Sequence, residues 1–149
     1  MRLIESAVLV LVVLALSAPA ASAQTGDDTL VYAIQSDMQN WDPPNSVLRE
    51  SIILGYHVFD HLAARDLRTN RVVPHLATSW KALDETNWEV KLRRDVRFHT
   101  GDRFTARDVK ATFDRVLDEK NKLTARGNHA KIQSVEVEDE YTVRFKTDG

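Results

Sequence analysis

Hydrophobic residues recur with two different periods along the chain, which predicts both strands and helices. Residues 29–35 are β-branched and apolar and predict a buried first strand, and residues 36–45, which contain Pro43 and Pro44, predict a loop. Residues 47–62 have apolar side chains three and four positions apart, the spacing of one helical face. The predicted buried stripe of that helix consists of Leu48, Ile52, Ile53, Tyr56 and Phe59.

The middle of the chain contains a short aromatic-ended segment and an alternating one. Residues 75–80 predict a short turn or helical piece that Trp80 closes. Residues 88–92 alternate apolar and charged side chains, which is typical of a half-buried strand. We therefore expect Trp88 to lie in the core with the other apolar residues of that strand, Val90 and Leu92.

The C-terminal third has the clearest helix of the chain. Residues 105–119 begin with Thr105 and Asp108, the spacing of a capping box that satisfies free amides in a first helical turn. Residues 132–137 and 141–145 alternate around an acidic turn and predict a hairpin. The predicted inward stripe of the helix consists of Val109, Phe113, Val116 and Leu117. Together these elements predict a mixed α/β (α+β) chain without internal repeats.

The N-terminal segment has the pattern of a secretory signal peptide. Arg2 is followed by an almost continuously apolar run over residues 7–16, and residues 21–23 read Ala-Ser-Ala, a small-x-small cleavage signal. Residues 1–23 are therefore expected to be removed, so that the mature chain starts near Gln24 in the periplasm. A transmembrane anchor or a buried helix is the alternative, although the apolar run is short for a membrane span.

Composition excludes several kinds of chemistry. The 149 residues include no cysteine, which excludes a disulfide framework, a thiolate nucleophile and a lipid attached to cysteine. The formal net charge is −2, whereas binding to nucleic acid requires a basic surface. We therefore expect no nucleic-acid partner.

Two histidines form the sharpest candidate for a metal site. His57 and His61 are four positions apart, so on a helix they would share one face beside Asp60. The metalloprotease pattern requires glutamate directly after the first histidine, and Val58 stands there. An amphipathic helix with two partly exposed histidines explains the pair better, and a secreted metal-dependent hydrolase stays as an alternative.

His99 and Asp102 invite an acid–base interpretation because they share one turn-like segment. The segment offers no nucleophile, so we favour a turn histidine that bonds nearby backbone or Asp102.

Trp41 lies in the irregular loop over residues 36–45, directly before Asp42, and loops frequently carry binding residues. Trp41 is therefore a candidate ligand contact.

Four segments in order resemble the signature of the extracellular solute-binding proteins of family 5. They are PHLATSW at 74–80, WEVKLR at 88–93, VRFHTGD at 96–102 and FTARDV at 104–109. Family members of this kind include dipeptide-, oligopeptide- and nickel-binding proteins of the periplasm. The chain departs from the family pattern at Asp95, where glycine is usual, and at Thr100, where Asp or Asn is common.

The resemblance implies a periplasmic-binding-protein type II-like fold with an extra subdomain, of which only the N-terminal part is present. Residues 24–60 would start the main lobe, and residues 61–149 would form the extra subdomain, truncated at its end. The implied function is capture of di- or oligopeptides for an ABC importer, without catalysis, as a monomer that docks on the permease subunits and needs no cofactor. A carrier of nickel, haem or another solute on the same scaffold is the main alternative.

By position after Asp42 and Pro43, residues 46–49 resemble the loop that pairs with peptide backbone in oligopeptide-binding relatives. Residue identities are not shared there. With the loop tryptophan, the predicted ligand-binding residues are Trp41, Ser46, Val47 and Arg49.

Overall fold

The computed structural model describes residues 31, 33–35, 37 and 40–149. The chain divides into two units, Met1–Ala33 and Ile34–Gly149. The predicted signal peptide, residues 1–23, lies outside the described residues, as does much of the predicted first strand. The described residues of that strand, Val31 and 33–35, are not in a strand.

Helices and strands of the described residues all lie in the second unit. The strands are β1 (Ala63–Arg65), β2 (Val72–Pro74), β3 (Ala77–Ala82), β4 (Asn87–Leu92), β5 (Ile132–Asp139) and β6 (Thr142–Thr147), and the α-helices are α1 (Arg49–Gly55) and α2 (Ala106–Leu117). Strands β1 and β2 form a hairpin, and the other four form an antiparallel sheet in the order β3-β4-β6-β5. The mixed helix and sheet content confirms the predicted fold class.

The four-stranded sheet has one apolar face, which follows from the alternation in the sequence. Val90 on β4 is paired with Val143 on β6, and Val135 on β5 is paired with Phe145 on β6. All four are buried. The predicted strand over residues 88–92 and the predicted C-terminal hairpin are therefore confirmed.

Helix α2 covers the β5–β6 half of that face. The predicted capping box is present, because Thr105 Oγ1 accepts from the amide of Arg107 at 3.3 Å and Asp108 Oδ2 accepts from the amide of Thr105 at 2.7 Å. Val109 and Val116 are 4% exposed, and the ring of Phe113 meets that of Phe145 edge-on. The inward stripe of this helix was correctly predicted in its main positions.

Trp88 is not a core residue, contrary to the prediction. It is paired with the buried Phe145, but 39% of its surface is exposed. Helix α2 packs on β5 and β6. Trp88 lies near the start of β4 and stays half-exposed, whereas Val90 and Leu92, which follow it on the same strand, are buried. Trp80 on β3, which is paired with Val90, is 37% exposed.

The prediction of a turn or helical piece at residues 75–80 is wrong, because Ala77–Ala82 is strand β3. Five of its six residues are exposed, so the segment has none of the alternating burial that would reveal a strand. Its extended form depends on pairing with β4, interrupted by a register shift between Ala77 and Ser79. Such an edge strand is held extended by its hydrogen bonds to the neighbouring strand, and its own hydrophobic pattern does not predict it.

The helix predicted over residues 47–62 is much shorter, because α1 ends at Gly55. Its predicted buried stripe is largely exposed: Ile52 is 46%, Ile53 37% and Tyr56 60% exposed. The residues that α1 does bury are Ser51 and Gly55. Periodicity identified an apolar face correctly, but most of that face is exposed.

Candidate functional site

A loop before α1 forms the wall of a small cavity. Pro43–Asn45 is a 3-10 turn, which the two prolines favour because their φ angles are fixed. The amide of Asn45 donates to the carbonyl of Asp42 at 2.9 Å, and the amide of Asp42 donates to Asn40 Oδ1 at 3.0 Å. These two hydrogen bonds of the loop therefore meet at Asp42.

The cavity beside this loop has a volume of about 140 Å³. Its lining includes Asn40, Asp42, Ser46, Ser51, Phe59 and His61. Ser51 is 6% exposed, and its Oγ has no hydrogen-bond partner among the described residues. The cavity combines apolar walls with a few polar groups, a composition that small-molecule sites share.

Arg115 at the end of α2 holds the loop from outside. Its Nη1 and Nη2 donate to Asp42 Oδ1 at 2.8 Å and Oδ2 at 2.6 Å, a two-pronged pair between residues 73 positions apart. The hydrogen bonds from Arg115 lower the pKa of Asp42 and the pair raises that of Arg115. Two parallel bonds also fix the direction of the carboxylate, which a single contact would not do.

A second contact reaches the same loop. Thr124 Oγ1, in the 3-10 segment Thr124–His129, donates to the carbonyl of Asn45 at 3.5 Å. The preceding chain is fixed to α2 in turn, because Asn121 Nδ2 donates to the carbonyl of Arg115 at 2.9 Å. The loop is thus supported by the C-terminal end of α2 and the segment after it.

The four predicted ligand-binding residues have different positions. Ser46 lines the cavity. Trp41 (59% exposed), Val47 (48% exposed) and Arg49 are on the surface outside its lining. The ligand role of all four stays a prediction, and sequence reasoning missed Ser51 and Arg115.

The backbone around Val47 is extended and open. Ser46 has φ −140° and ψ 136°, and Leu48 has φ −67° and ψ 137°. Among the described residues, no hydrogen bond engages the backbone N–H or C=O of Val47. A strand-like segment with unpaired main-chain groups can pair with another extended chain.

His57 and His61 do not share a helical face, because α1 stops before either of them. The ring of His61 stacks on that of Tyr56 at 4.6 Å, and its carbonyl lies 3.0 Å from His75 Nδ1. Within residues 31, 33–35, 37 and 40–149, no group of three or more His, Cys, Asp or Glu side chains is arranged to hold a metal ion.

His99 was expected to bond nearby backbone or Asp102, but among the described residues no hydrogen bond joins its ring to Asp102, and Thr100 Oγ1 donates to Asp102 Oδ2 at 2.8 Å. The turn itself is confirmed. The amide of Gly101 donates to the carbonyl of Phe98 at 2.9 Å, and Gly101 has φ +93°. The segment therefore has a structural role that the glycine makes possible.

Comparison with known proteins identifies the class. Residues 71–149 match the family described as bacterial extracellular solute-binding proteins, family 5, middle region. This match covers more than half of the chain, so the protein belongs to that family of solute-binding proteins. The family resemblance of the four sequence segments is confirmed.

Particular relatives extend the similarity to about four fifths of the chain. The chain is 33% identical over 137 residues to the peptide transport periplasmic protein SapA of Salmonella typhimurium, covering 81% of this chain and 25% of SapA. It is similar in structure to NikZ from Campylobacter jejuni, solved in complex with Ni(L-His), with a TM-score of 0.74 at 28% identity over 83% of this chain and 24% of NikZ. It also resembles the oligopeptide-binding protein AppA from Bacillus subtilis, solved with a nonapeptide, with a TM-score of 0.69 at 28% identity over 72% of this chain and 21% of AppA.

The chain spans about a quarter of the length of these relatives. No helix in the part of the chain that the structure describes has the length and hydropathy needed to cross a bilayer.

Proposed function

We propose that the chain is part of the peptide-capturing component of an ABC importer and acts without catalysis. The family match over residues 71–149 carries the solute-binding role. The choice of peptide rests on the similarity to SapA and to the peptide-bound AppA. The partners of such a component are a di- or oligopeptide and the permease subunits of the importer, and it works as a monomer.

The open backbone at Val47 supports a peptide ligand. An extended peptide exposes an N–H and a C=O at every residue, and such groups pair with an extended main chain whatever the side chains are. The segment from Ser46 to Leu48 offers this geometry next to the cavity. Recognition through the main chain would let peptides of different sequence bind to the same loop.

The exposed stripe of α1 supports a larger binding protein. Ile52, Ile53 and Tyr56 expose apolar surface that a soluble domain normally buries. We propose that residues 24–60 start a main lobe in which this face is covered, and that residues 61–149 form an extra subdomain beside it. The two lobes of such a protein would close over the solute by a hinge.

Export to the periplasm completes the proposal. Residues 1–23 have the layout of a cleaved signal peptide, and SapA is a periplasmic protein by its name. N-terminal sequencing of the protein recovered from the periplasmic fraction should begin at Gln24. Recovery of the uncleaved Met1 form from the membrane fraction would contradict export by this signal.

The ligand is tested by calorimetric titration of the product of the whole reading frame that contains this chain. The titrants are a dipeptide, a tripeptide, a nonapeptide and Ni(L-His), and we expect heat of binding with at least one peptide. Binding of Ni(L-His) with no response to peptides would favour the nickel alternative, which the similarity to NikZ supports. No response to any of the four would remove the peptide assignment.

A pair of variants tests the role of the backbone at Val47. Val47→Pro removes one N–H donor, and the extended backbone of Ser46 suits a residue before proline. Loss of one hydrogen bond should weaken peptide binding roughly three- to tenfold. Val47→Ala keeps the N–H and should bind as the parent does. Equal losses in both variants would assign the effect to the side chain and not to the backbone.

A further inference from the structure

The ion pair between Arg115 and Asp42 joins the end of helix α2 to the loop before α1, which Thr124 also contacts. Asp42 precedes the 3-10 turn of the loop, and Arg115 lies in the last turn of α2. Both carboxylate oxygens are engaged, at 2.8 and 2.6 Å. The side chain of Asp42 is 32% exposed and that of Arg115 49%. The geometry is therefore that of a well-aligned pair at the surface.

Fixing Asp42 fixes the whole loop. Its amide is bonded to Asn40 Oδ1 and its carbonyl receives the amide of Asn45. Pro43 and Pro44 follow directly and have little freedom in φ. The orientation of Asp42 is thus transmitted to Ser46, whose amide donates to the carbonyl of Pro43 at 3.4 Å.

We propose that Arg115 is a positioning residue that holds the solute loop in its binding conformation through Asp42. The loop is defined here as residues 40–48. Helix α2 thereby sets the place of the loop relative to the sheet, although Arg115 itself does not line the cavity. The effect on solute affinity rests on the proposed function, whereas the effect on the loop does not.

Amide hydrogen exchange of the full chain without solute tests the loop directly. Arg115→Gln should speed exchange at the amides of Asn45 and Ser46 by roughly two- to fivefold, the range expected from an exposed ion pair. Exchange at Val90 and Val143 in the sheet should stay as in the parent. The matched control is Lys110→Gln, which removes the pair between Lys110 Nζ and Asp114 at 2.9 Å on the same helix without touching the loop.

Charge exchange separates positioning from simple loss of a side chain. Arg115→Asp and Asp42→Arg should each free the loop, and the double variant should restore a large part of the protection at Asn45 and Ser46. If Arg115→Gln also speeds amide exchange in the sheet, Arg115→Lys is measured in its stead, because lysine keeps the charge but makes only one contact. Unchanged exchange of the loop amides in both Arg115→Asp and Asp42→Arg would overturn the proposal. Absence of recovery in the double variant would overturn it as well.

Affinity provides the second measurement. Arg115→Gln should weaken peptide binding to the whole reading-frame product by roughly two- to fivefold, and Lys110→Gln should leave it unchanged. Absence of peptide binding by the parent would defeat the proposed function and leave the exchange result standing. Faster loop exchange with parental affinity would show that the loop is held by Arg115 but is not the solute loop, which would overturn the proposal.

Discussion

Val137 and Val143 are paired directly across the β5–β6 hairpin, but their surroundings differ almost completely. Val143 is 0% exposed, whereas Val137 is 38% exposed. Strand β6 lies between β4 and β5, and β5 is an edge strand. Two valines in one cross-strand pair therefore separate the effect of burial from the effect of residue type.

Truncation of the buried valine should cost far more stability than truncation of its partner. Val143→Ala removes two carbons from a close-packed site and leaves a cavity, for a loss of about 2–3 kcal/mol. Val137→Ala, the matched control, should cost less than about 1 kcal/mol. Urea unfolding of both variants measures the difference, and equal losses would show that α2 does not seal the centre of the sheet.

The capping box of α2 provides a second matched pair. Thr105→Ala removes the oxygen that accepts from the amide of Arg107 and should destabilise the protein by about 1 kcal/mol. Thr112→Ala in the middle of the helix removes a bond to the carbonyl of Asp108, but alanine is the better helix former, so the change should stay within about 0.5 kcal/mol. A larger loss at Thr112 than at Thr105 in thermal unfolding would contradict the assigned cap.

The turn at Gly101 depends on a backbone conformation that other residues rarely adopt. Gly101 has φ +93° and open space around it, so Gly101→Ala should cost roughly 1–2 kcal/mol through backbone strain and not through a clash. Gly127→Ala also has open space but no such φ, and should be neutral or slightly stabilising. Denaturation midpoints of the two variants measure this, and equal midpoints would exclude strain at the turn.

Local chemistry explains which elements the sequence could predict. The capping box needs residues only three positions apart, Thr105 and Asp108, and the structure has it as expected. Apolar and polar residues alternate along β4, β5 and β6 because these paired strands bury residues on one face of the sheet. That alternation could be recognised in the sequence. The family resemblance added the ordering of these segments.

Long-range contacts explain the failures. Burial of Ile52 or Trp88 depends on whether another element packs on it, and periodicity shows only that a face is apolar. Strand β3 has no buried stripe, so its pairing with β4 could not be read from its own residues. Arg115 is one of many helix-surface cations, and nothing near it in sequence points to Asp42, 73 positions away.

His129, a half-buried histidine that packs against helix α2, should make the free energy of unfolding depend on pH. The ring of His129 meets Phe113 edge-on at 5.6 Å, and burial lowers the pKa of His129 below its usual 6.5. Protons then bind more readily to the unfolded chain than to the folded one as pH falls through 6.5. Stability should therefore decline below about pH 6.5, down to the folded pKa, and be independent of this group at higher pH.

His129→Gln isolates this contribution because it removes the titration. Unfolding free energies of parent and variant, measured between pH 5 and 8, should differ by an amount that changes below about pH 6.5 and is constant above it. Asp66 and Asp84 do not interfere with this measurement. Hydrogen bonds from neighbouring backbone amides lower their pKa from the usual 3.8, so they change stability only at more acidic pH. A difference between parent and variant that is constant over the whole range would show that His129 is solvated equally in the folded and unfolded states.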